Sequence, residues 1–393
     1  MPAKKHPFVV MLLTPLCILL ALTTSVRSPA QEQDDARRQR PELIEFDAPG
    51  AGTISSPVCA PNCGTYAIGM NDEGAITGSY TDAEIVPHGF LRAPNGHIIS
   101  FDAPGAGLGA GLDEGTSPFS INDLGLITGQ FQDPSYLIHG FVRYPDGSFA
   151  TFDAPGAVSS PVCAPFCGTW GEAINLWGEI AGYYIDANNV DHGFVRSPDG
   201  SITTFDAPGA GTGANQGTVV GEKGINRRGE VDGWYIDENN VFHGFLRAPD
   251  GTIASVDPLG SYGTILGGIN AAGEIAGYYY DANYVGHGFL RAPDGTFTTF
   301  DAPGAGAEHN QFQGTLAFSV NTARMVTGIY VDAANVLHGF LRGPDGTFTT
   351  IDAPDAGTGA NQGTRPEIVN QAGMIAGFYF DAGNVIHGFL RIP

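Results

Sequence analysis

The sequence predicts an all-β protein, a seven-bladed β-propeller in which each blade is a four-stranded antiparallel sheet. Three observations predict this fold. A His-Gly-Phe-[Leu/Val]-Arg string occurs seven times, at intervals of about 50 residues that are typical of propeller blades. Short aromatic and β-branched runs alternate with turns rich in Gly, Pro, Asn and Asp. No segment shows the apolar periodicity of a helix.

One repeat unit, residues 263–301, illustrates the predicted order of strands. Its four runs of strand-forming residues lie at 264–269, 274–280, 285–291 and 296–301. The turn Pro293-Asp294-Gly295 separates the last two runs, and Pro and Gly at these positions favour a tight turn.

The hairpin formed by the last two runs predicts contacts for the repeated string. We expect Arg291 to oppose Thr296 and His287 to oppose Phe300, which would bring His287 within hydrogen-bonding reach of Asp301. The glycine after each histidine is expected to let neighbouring blades approach closely.

The two ends of the repeat region predict a closed ring. The last unit stops at Arg391-Ile392-Pro393 without a fourth strand, whereas residues 42–47 resemble a lone fourth strand. The N-terminal strand is therefore expected to complete the last blade and to remove an exposed sheet edge. We assign residues 1–30 to a signal peptide, 31–40 to a flexible leader and 41–393 to one propeller domain.

The first thirty residues resemble a secretory signal. Lys4 and Lys5 precede an apolar run at 8–22, and the small residues Ser28 and Ala30 follow at the positions of a cleavage site. The run is short for the ~20 residues that cross a bilayer, so cleavage is favoured over retention as an anchor. The mature protein is expected to be secreted or periplasmic, with no stable membrane insertion.

The composition limits the classes of partner. The chain has 41 acidic against 18 basic residues and a formal net charge of -23, which disfavours nucleic acids and anionic membrane surfaces as partners. Many of the acids recur at turns in every unit, so the charge itself does not identify a ligand. A monomer is expected.

Four cysteines follow the signal, in two copies of one phrase. Their spacing predicts the disulfides Cys59–Cys63 and Cys163–Cys167, since an exported chain with an even number of cysteines usually forms disulfides. A four-thiolate zinc site is the alternative, although zinc pairs are usually spaced more tightly.

The repeated string, with its aromatic-rich neighbours and the signal peptide, resembles the bacterial extracellular HAF repeat family, which is named for a His-Ala-Phe string. Gly replaces that Ala in all seven copies here. The resemblance covers residues 42–393 and implies an exported repeat protein, but it implies no activity and no catalytic residue.

The residues that recur in every unit are expected to serve the fold, because a catalytic residue normally occurs once. A ring of histidines around a metal or ligand is the alternative. Asp and Asn cluster in the loops after the second strands, where they suit tight turns. Ca²⁺ is the alternative for these loops, and no other cofactor is expected.

Residues that break the repeat are the candidates for ligand binding. They could form a sugar-binding platform of aromatic and polar groups, although tryptophans in such positions often pack in the core. The candidates are Trp170, Trp177, Glu222, Arg227, Arg228, Asp232, Trp234, Glu308 and His309. The long loops between successive units lie on one face of the predicted disc, and this loop-rich face is where we expect a ligand.

The sequence thus favours a non-enzymatic binding or scaffold module with an extracellular or envelope ligand, either a carbohydrate or a protein. The alternative is a carbohydrate-active hydrolase or lyase, for which Glu222, Asp232 and Glu308 are the least repetitive carboxylates. No nucleophile elbow, phosphate loop or HExxH string is present.

Overall fold

The computed structural model describes residues 41–52, 63–109, 114–158, 167–309 and 313–393. Within these ranges the chain forms 28 β-strands and no helix, and no described segment is a helix able to cross a membrane. The prediction of an all-β protein is confirmed.

The strands follow one another in repeat units of four. The first strand is β1 (Glu42–Phe46). Unit 1 contains β2 (Gly64–Met70), β3 (Ile76–Thr81), β4 (Pro87–Arg92) and β5 (Ile98–Phe101). Unit 2 contains β6 (Gly115–Ile121), β7 (Ile127–Gln132), β8 (Leu137–Arg143) and β9 (Phe149–Phe152). Unit 3 contains β10 (Cys167–Ile174), β11 (Ile180–Ile185), β12 (Asp191–Arg196) and β13 (Ile202–Phe205). Unit 4 contains β14 (Gly217–Ile225), β15 (Val231–Ile236), β16 (Phe242–Arg247) and β17 (Ile253–Val256).

The remaining strands repeat the same order. Unit 5 contains β18 (Gly263–Ile269), β19 (Ile275–Tyr280), β20 (Gly286–Arg291) and β21 (Phe297–Phe300). Unit 6 contains β22 (Gly314–Val320), β23 (Val326–Val331), β24 (Leu337–Arg342) and β25 (Phe348–Ile351). Unit 7 contains β26 (Gly363–Val369), β27 (Ile375–Phe380) and β28 (Ile386–Ile392). Each predicted strand of residues 263–301 is found within two residues of its predicted bounds.

Each unit is an antiparallel sheet. At five junctions between units in the described ranges, the first strand of a unit pairs in parallel with the third strand of the unit before it, as at Asp191 and Gly217. The end of the chain pairs with its beginning, because β1 runs antiparallel to β28 from Glu42 opposite Ile392 to Phe46 opposite Gly388. The predicted fourth strand of the last unit is confirmed, and this succession of four-stranded sheets is the arrangement of a β-propeller.

A closed circle of hydrogen bonds joins the seven units. One asparagine follows the first strand of each unit, and its Nδ2 donates to the backbone carbonyl of the equivalent asparagine in the next unit, over 2.8–3.3 Å. The members in order are Asn71, Asn122, Asn175, Asn226, Asn270, Asn321 and Asn370, whose Nδ2 donates to Asn71. All seven are buried. We call this circle the asparagine ring.

Each apolar or cationic residue of the repeated string has one structural task. The seven phenylalanines are fully buried in the core, and burial of such a side chain contributes about 1.5–3 kcal/mol. The arginine stacks on a phenylalanine of the preceding unit in five copies, with Arg92 over Phe46 and Arg143 over Phe101 as examples, at 4.7–5.0 Å from the ring centroid. The string therefore supplies both the core and the contact between units.

The seven histidines of the string each bind two aspartates and one aromatic ring. Nδ1 lies 2.8–3.2 Å from the aspartate after the fourth strand, and Nε2 lies 3.4–3.9 Å from the aspartate after the second strand. The imidazole lies against an aromatic ring of the second strand, as His139 does on Phe131. The predicted contact between His287 and Asp301 is confirmed at 2.8 Å.

The predicted register of this hairpin was wrong by one residue. Gly288 lies opposite Phe300, and Arg291 lies opposite Phe297. The reason is the left-handed Gly295, at φ +91°, which adds a residue to the turn as a bulge.

The glycine after the histidine serves two purposes. A Cβ on Gly244 or Gly339 would lie 2.9 Å or 2.6 Å from Leu266 or Pro366 of the next unit, so these glycines let neighbouring units approach, as expected. A Cβ on Gly288 would lie 2.4 Å from the ring of Phe300 in the same unit, so this glycine admits a cross-strand ring within its own unit.

The aspartates after the second strands hold their own turns. In all seven loops, one Oδ1 accepts the backbone N–H groups two and four residues later, as Asp186 does from Asn188 and Val190. The second oxygen faces the histidine. These carboxylates are therefore engaged within the protein.

Replacing one member of the asparagine ring should weaken the whole molecule. Asn122→Ala removes the bond to the carbonyl of Asn175 and two bonds accepted from Leu124 and Leu126. Because the site is buried, we expect the free energy of unfolding in urea to fall by about 3 kcal/mol. Asn95→Ala, which loses one bond in an exposed turn, is the control and should cost less than about 1 kcal/mol. Equal costs would contradict a special role for the ring.

Stability should fall as the pH rises through the range in which His139 loses its proton. The hydrogen bond to Asp153 raises the pKa of His139, although burial opposes it. A raised pKa stabilises the fold below the unfolded value of about 6.5, and this contribution disappears as pH rises through the folded value. We expect His139→Gln to cost about 1 kcal/mol at pH 6 and less at pH 8.

Urea unfolding at the two pH values measures this difference. His97→Gln makes the same chemical change at an exposed histidine outside the string and serves as the control. A cost of His139→Gln that is equal at both pH values would reject the charged pair.

Candidate functional site

The first strand of each unit contains a β-bulge, and the bulged residue differs in type between units. Flanking Gly-Thr and Asn residues recur, but the bulge holds Ile68, Phe119, Glu172, Gly267, Phe318 or Glu367 in six of the units. In unit 4 it is enlarged to residues 221–224. A bulge redirects a side chain out of the regular alternation, so these positions can vary without altering the ring.

The first strands of units 3 to 7 enclose a cavity, which we call the inner cavity. Its volume is about 790 Å³ including its open part. Aromatic rings and charged groups share its wall. The side chains that matter here are Glu172, Tyr183, Glu222, Lys223, Trp234, Tyr278, Phe318, Arg365 and Glu367.

Two cations and two glutamates form an ion network in the inner cavity. Lys223 Nζ lies 3.2 Å from Glu222 and 3.2 Å from Glu367, and Arg365 also binds Glu367. Burial opposes the charge of Lys223, but Glu367 and Glu222 outweigh it and raise its pKa. Burial likewise opposes the charge of Glu367, yet Arg365 and Lys223 keep its pKa below the usual value. Both ions of the Lys223–Glu367 pair are therefore charged at neutral pH.

Glu172 differs from the other glutamates of the inner cavity. Burial, with a smaller contribution from Glu222, raises the pKa of Glu172 well above its usual value, so its carboxyl group retains its proton and can donate a hydrogen bond. Burial also raises the pKa values of Tyr183 and Tyr278. The inner cavity therefore combines neutral donors with a balanced set of charges.

The structure brings only some of the nine predicted candidates to the inner cavity. Glu222 and Trp234 line it, and Trp170 stacks on its wall residue Tyr183 with ring centroids 4.9 Å apart. Asp232 lies opposite the enlarged bulge and is 1% exposed. Its Oδ2 has no hydrogen-bond partner among the described residues, and burial raises its pKa well above the usual value.

Three other candidates lie at the turns that follow the first strands, on the side of the asparagine ring. Arg227 spans the mouth of the ring and reaches Asp72 at 3.2 Å and Asp123 at 2.9 Å, in units 1 and 2. Arg228 lies next to it, 3.7 Å from Glu230. Trp177 is 64% exposed. These turns are at the opposite ends of the strands from the loop-rich face that we expected to bind a ligand.

A second cavity, the mouth cavity, lies inside the asparagine ring. It measures about 880 Å³ including its open part and is lined by residues of all seven units, among them the turn residues Asp72, Asp123 and Arg227. Lys223 lines both this cavity and the inner cavity, so the lysine belongs to the walls of both spaces.

The last two candidates lie apart from the others. Glu308 and His309 are exposed in the loop between β21 and β22, and the backbone N–H of Glu308 binds Gln313. Cys63 and Cys167 are buried, whereas Cys59 and Cys163 lie outside the described residues, so both disulfides stay predictions. No group of three or more potential metal ligands occurs in the described part of the chain.

Sequence reasoning missed Glu172, Tyr183, Tyr278, Arg365 and Glu367. The two glutamates are recognisable when the sequences of the units are aligned. Glu172 and Glu367 occupy the bulge position that holds Ile68 and Phe119 in units 1 and 2.

No protein-family model matches the sequence, and no curated protein matches it. Among solved structures, the chain is similar to a triple arginine-to-alanine mutant of AofleA from Arthrobotrys oligospora, at 11% identity over 79% of this chain and 90% of that chain, with a TM-score of 0.40. It is also similar to the Aleuria aurantia lectin, described as a six-bladed β-propeller with fucose recognition, at 13% identity over 67% and 86%, with a TM-score of 0.37. At these TM-scores the likeness carries no inference about this chain.

Two matched substitutions should show that Glu172 is protonated and Glu367 is ionised in the folded protein. Glu172→Gln mimics a protonated carboxyl group, so stability at pH 7 should be unchanged or increased. The gain should grow as the pH rises above 4.5, the usual pKa of the group. Above this pH, Glu172 ionises in the unfolded wild-type chain but stays protonated in the folded one, so wild type loses stability.

Glu367→Gln should behave in the opposite way. It leaves Lys223 and Arg365 buried without their shared partner, and we expect a loss of about 3 kcal/mol at pH 7. This loss should shrink as the pH falls through the lowered pKa of Glu367. Urea unfolding between pH 4 and pH 8 measures both variants, and equal losses would contradict the assigned protonation states.

Proposed function

We propose that this chain is an exported, seven-bladed β-propeller that binds a saccharide in its inner cavity without modifying it. The seven-membered asparagine ring supports one blade per unit. The basic and apolar start of the sequence supports export, and the resemblance to HAF repeats agrees with it. The pairs Cys59–Cys63 and Cys163–Cys167 are part of the proposal, since disulfides are stable in an oxidising compartment.

The main support for a binding site is that the residue types at the bulge positions depart from the repeat and differ between units. Ile68 and Phe119 occupy this position in units 1 and 2, so the fold accepts an apolar side chain there. Glu172, Glu367 and the Glu222-Lys223 insertion bring titratable side chains to the same level of the ring. Buried ion pairs are weak contributors to stability compared with apolar packing. The charged cluster is therefore better explained by a ligand than by the fold.

The chemistry of the wall favours an uncharged, hydroxyl-rich ligand. Glu222 and Glu367 balance Lys223 and Arg365, so a charged ligand would disturb the network. The protonated Glu172 adds a donor, while Trp234, Tyr278 and Phe318 offer apolar surface. A sugar presents hydroxyl groups around a ring with apolar C–H faces, and this combination fits such a wall.

Glycan hydrolysis is the second candidate, because the inner cavity holds carboxyl groups in opposite protonation states. The raised pKa of Glu172 suits a general acid, and the lowered pKa of Glu367 suits a carboxylate. The ion pairs of Glu367 with Lys223 and Arg365 make it less available than a catalytic carboxylate should be, which favours binding without turnover.

A glycan array with the mature protein, followed by titration calorimetry on the glycans that bind, tests the inner site. Glu222→Gln should weaken binding about ten-fold, because it removes a charged hydrogen-bonding group from the wall. Glu308→Gln makes the same chemical change in an exposed loop and should leave affinity unchanged.

Three results would change the assignment. Failure of the protein to bind any glycan, or equal affinities for both variants and wild type, would reject the inner saccharide site. Release of reducing ends from a bound glycan that is lost in Glu172→Gln would favour the hydrolase.

A further inference from the structure

Trp177 is an exposed aromatic ring that the fold does not require. It occupies the third position of the turn after β10, two residues beyond Asn175 of the asparagine ring. The same turn position is Ala272, Ala323 and Ala372 in units 5, 6 and 7, so a small residue completes this turn equally well. Core packing explains Trp170, which is 7% exposed, but not Trp177, which is 64% exposed.

The ring of Trp177 is held in a fixed orientation. Its backbone N–H donates to Asn175 Oδ1, and its indole Nε1 donates to the backbone carbonyl of Arg227 in the next unit over 3.0 Å. The one polar atom of the side chain is therefore satisfied within the protein. What remains exposed is a rigid apolar ring, which can bind a ligand with little loss of side-chain entropy.

Polar groups lie beside this ring at the mouth cavity. Asp123 and Asp72 hold the guanidinium of Arg227 across the opening, yet the Arg227 side chain remains 48% exposed. Leu124 occupies the equivalent turn position of unit 2 and is 61% exposed. The indole of Trp177 is thus bonded to Arg227, whose side chain and whose partners Asp72 and Asp123 line the mouth cavity.

We propose that Trp177 and the mouth cavity form a second saccharide site, separate from the inner cavity. A pyranose ring stacks its C–H face on the indole of Trp177, and an adjoining sugar residue places its hydroxyl groups against Arg227 and Asp123. Trp177, Arg227 and Asp123 do not line the inner cavity, so the second site does not depend on occupancy of the first. With two sites, one molecule can hold two glycan chains.

Three variants on one glycan array test the second site. Trp177→Ala reproduces the residue of units 5 to 7, so it should fold with an unchanged melting temperature. It should lose affinity by about ten-fold for a set of the glycans that wild type binds. Trp177→Phe keeps an aromatic ring and should stay within about three-fold of wild type. Glu222→Gln should leave this set unchanged, because Glu222 lines the inner cavity and not the mouth cavity, and Lys223 keeps its partner Glu367.

The outcomes separate the two sites. If Trp177→Ala binds glycans as wild type does while Glu222→Gln loses affinity, the second site is rejected and the inner one is supported. If only Trp177→Ala loses affinity, the second site is supported and the inner one is rejected. If wild type binds no glycan on the array, both sites are rejected. If Trp177→Ala converts a dimer into a monomer by light scattering while array binding is unchanged, the indole contacts a second copy and the saccharide proposal is wrong.

Discussion

The hydrogen bond from one asparagine side chain to the next unit's carbonyl is the interaction on which the ring depends. Asparagine suits this role because its Nδ2 donates across the boundary between units while its Oδ1 accepts backbone N–H groups of its own turn. Aspartate would lose the donor, and serine would lack the second group. Since Asn370 donates to Asn71, the last unit is tied to the first near the axis, where β1 cannot reach. At the periphery β1 closes the ring instead, and His387 binds Asp47 of the N-terminal strand.

The residues that repeat in every unit and the residues that differ between units lie in different parts of the molecule. The side chains of the string from His287 to Arg291 serve the fold, because His287 pairs with Asp281 and Asp301 and Phe289 is buried in the core. The bulges and the turns after the first strands are not constrained in this way, since the ring requires only their backbones. Side chains at these places can change one unit at a time. Glu172, Glu367 and Trp177 are such changes, and each lies at a cavity or beside one.

The fold could be predicted from the sequence because its signals are local and repeated seven times. The turn residues within 263–301 were sufficient to predict the position of every strand in that unit. The absence of a fourth strand after Arg391 predicted that β1 completes the last unit. The register of the His287 hairpin could not be obtained in this way, because it depends on the positive φ of Gly295. The candidate binding sites were harder to predict from the sequence than the fold. Trp177 and Trp234 are the same residue type in neighbouring units, yet one lies at the surface and the other lines the inner cavity. Only the path of the strands distinguishes them.

Lys223 links the electrostatics of the two cavities to the acidity of the chain. It is the only lysine after residue 5 in a protein with a net charge of -23, and the structure places it inside the ring. An isolated buried ammonium group would lose its proton, but Glu222 and Glu367 hold it charged. The enlarged bulge of unit 4 provides the two extra residues that carry this pair of charges. Closing the space with an apolar residue would have been simpler for the fold. The lysine instead contributes a charged side chain to the walls of two polar cavities, the inner cavity and the mouth cavity.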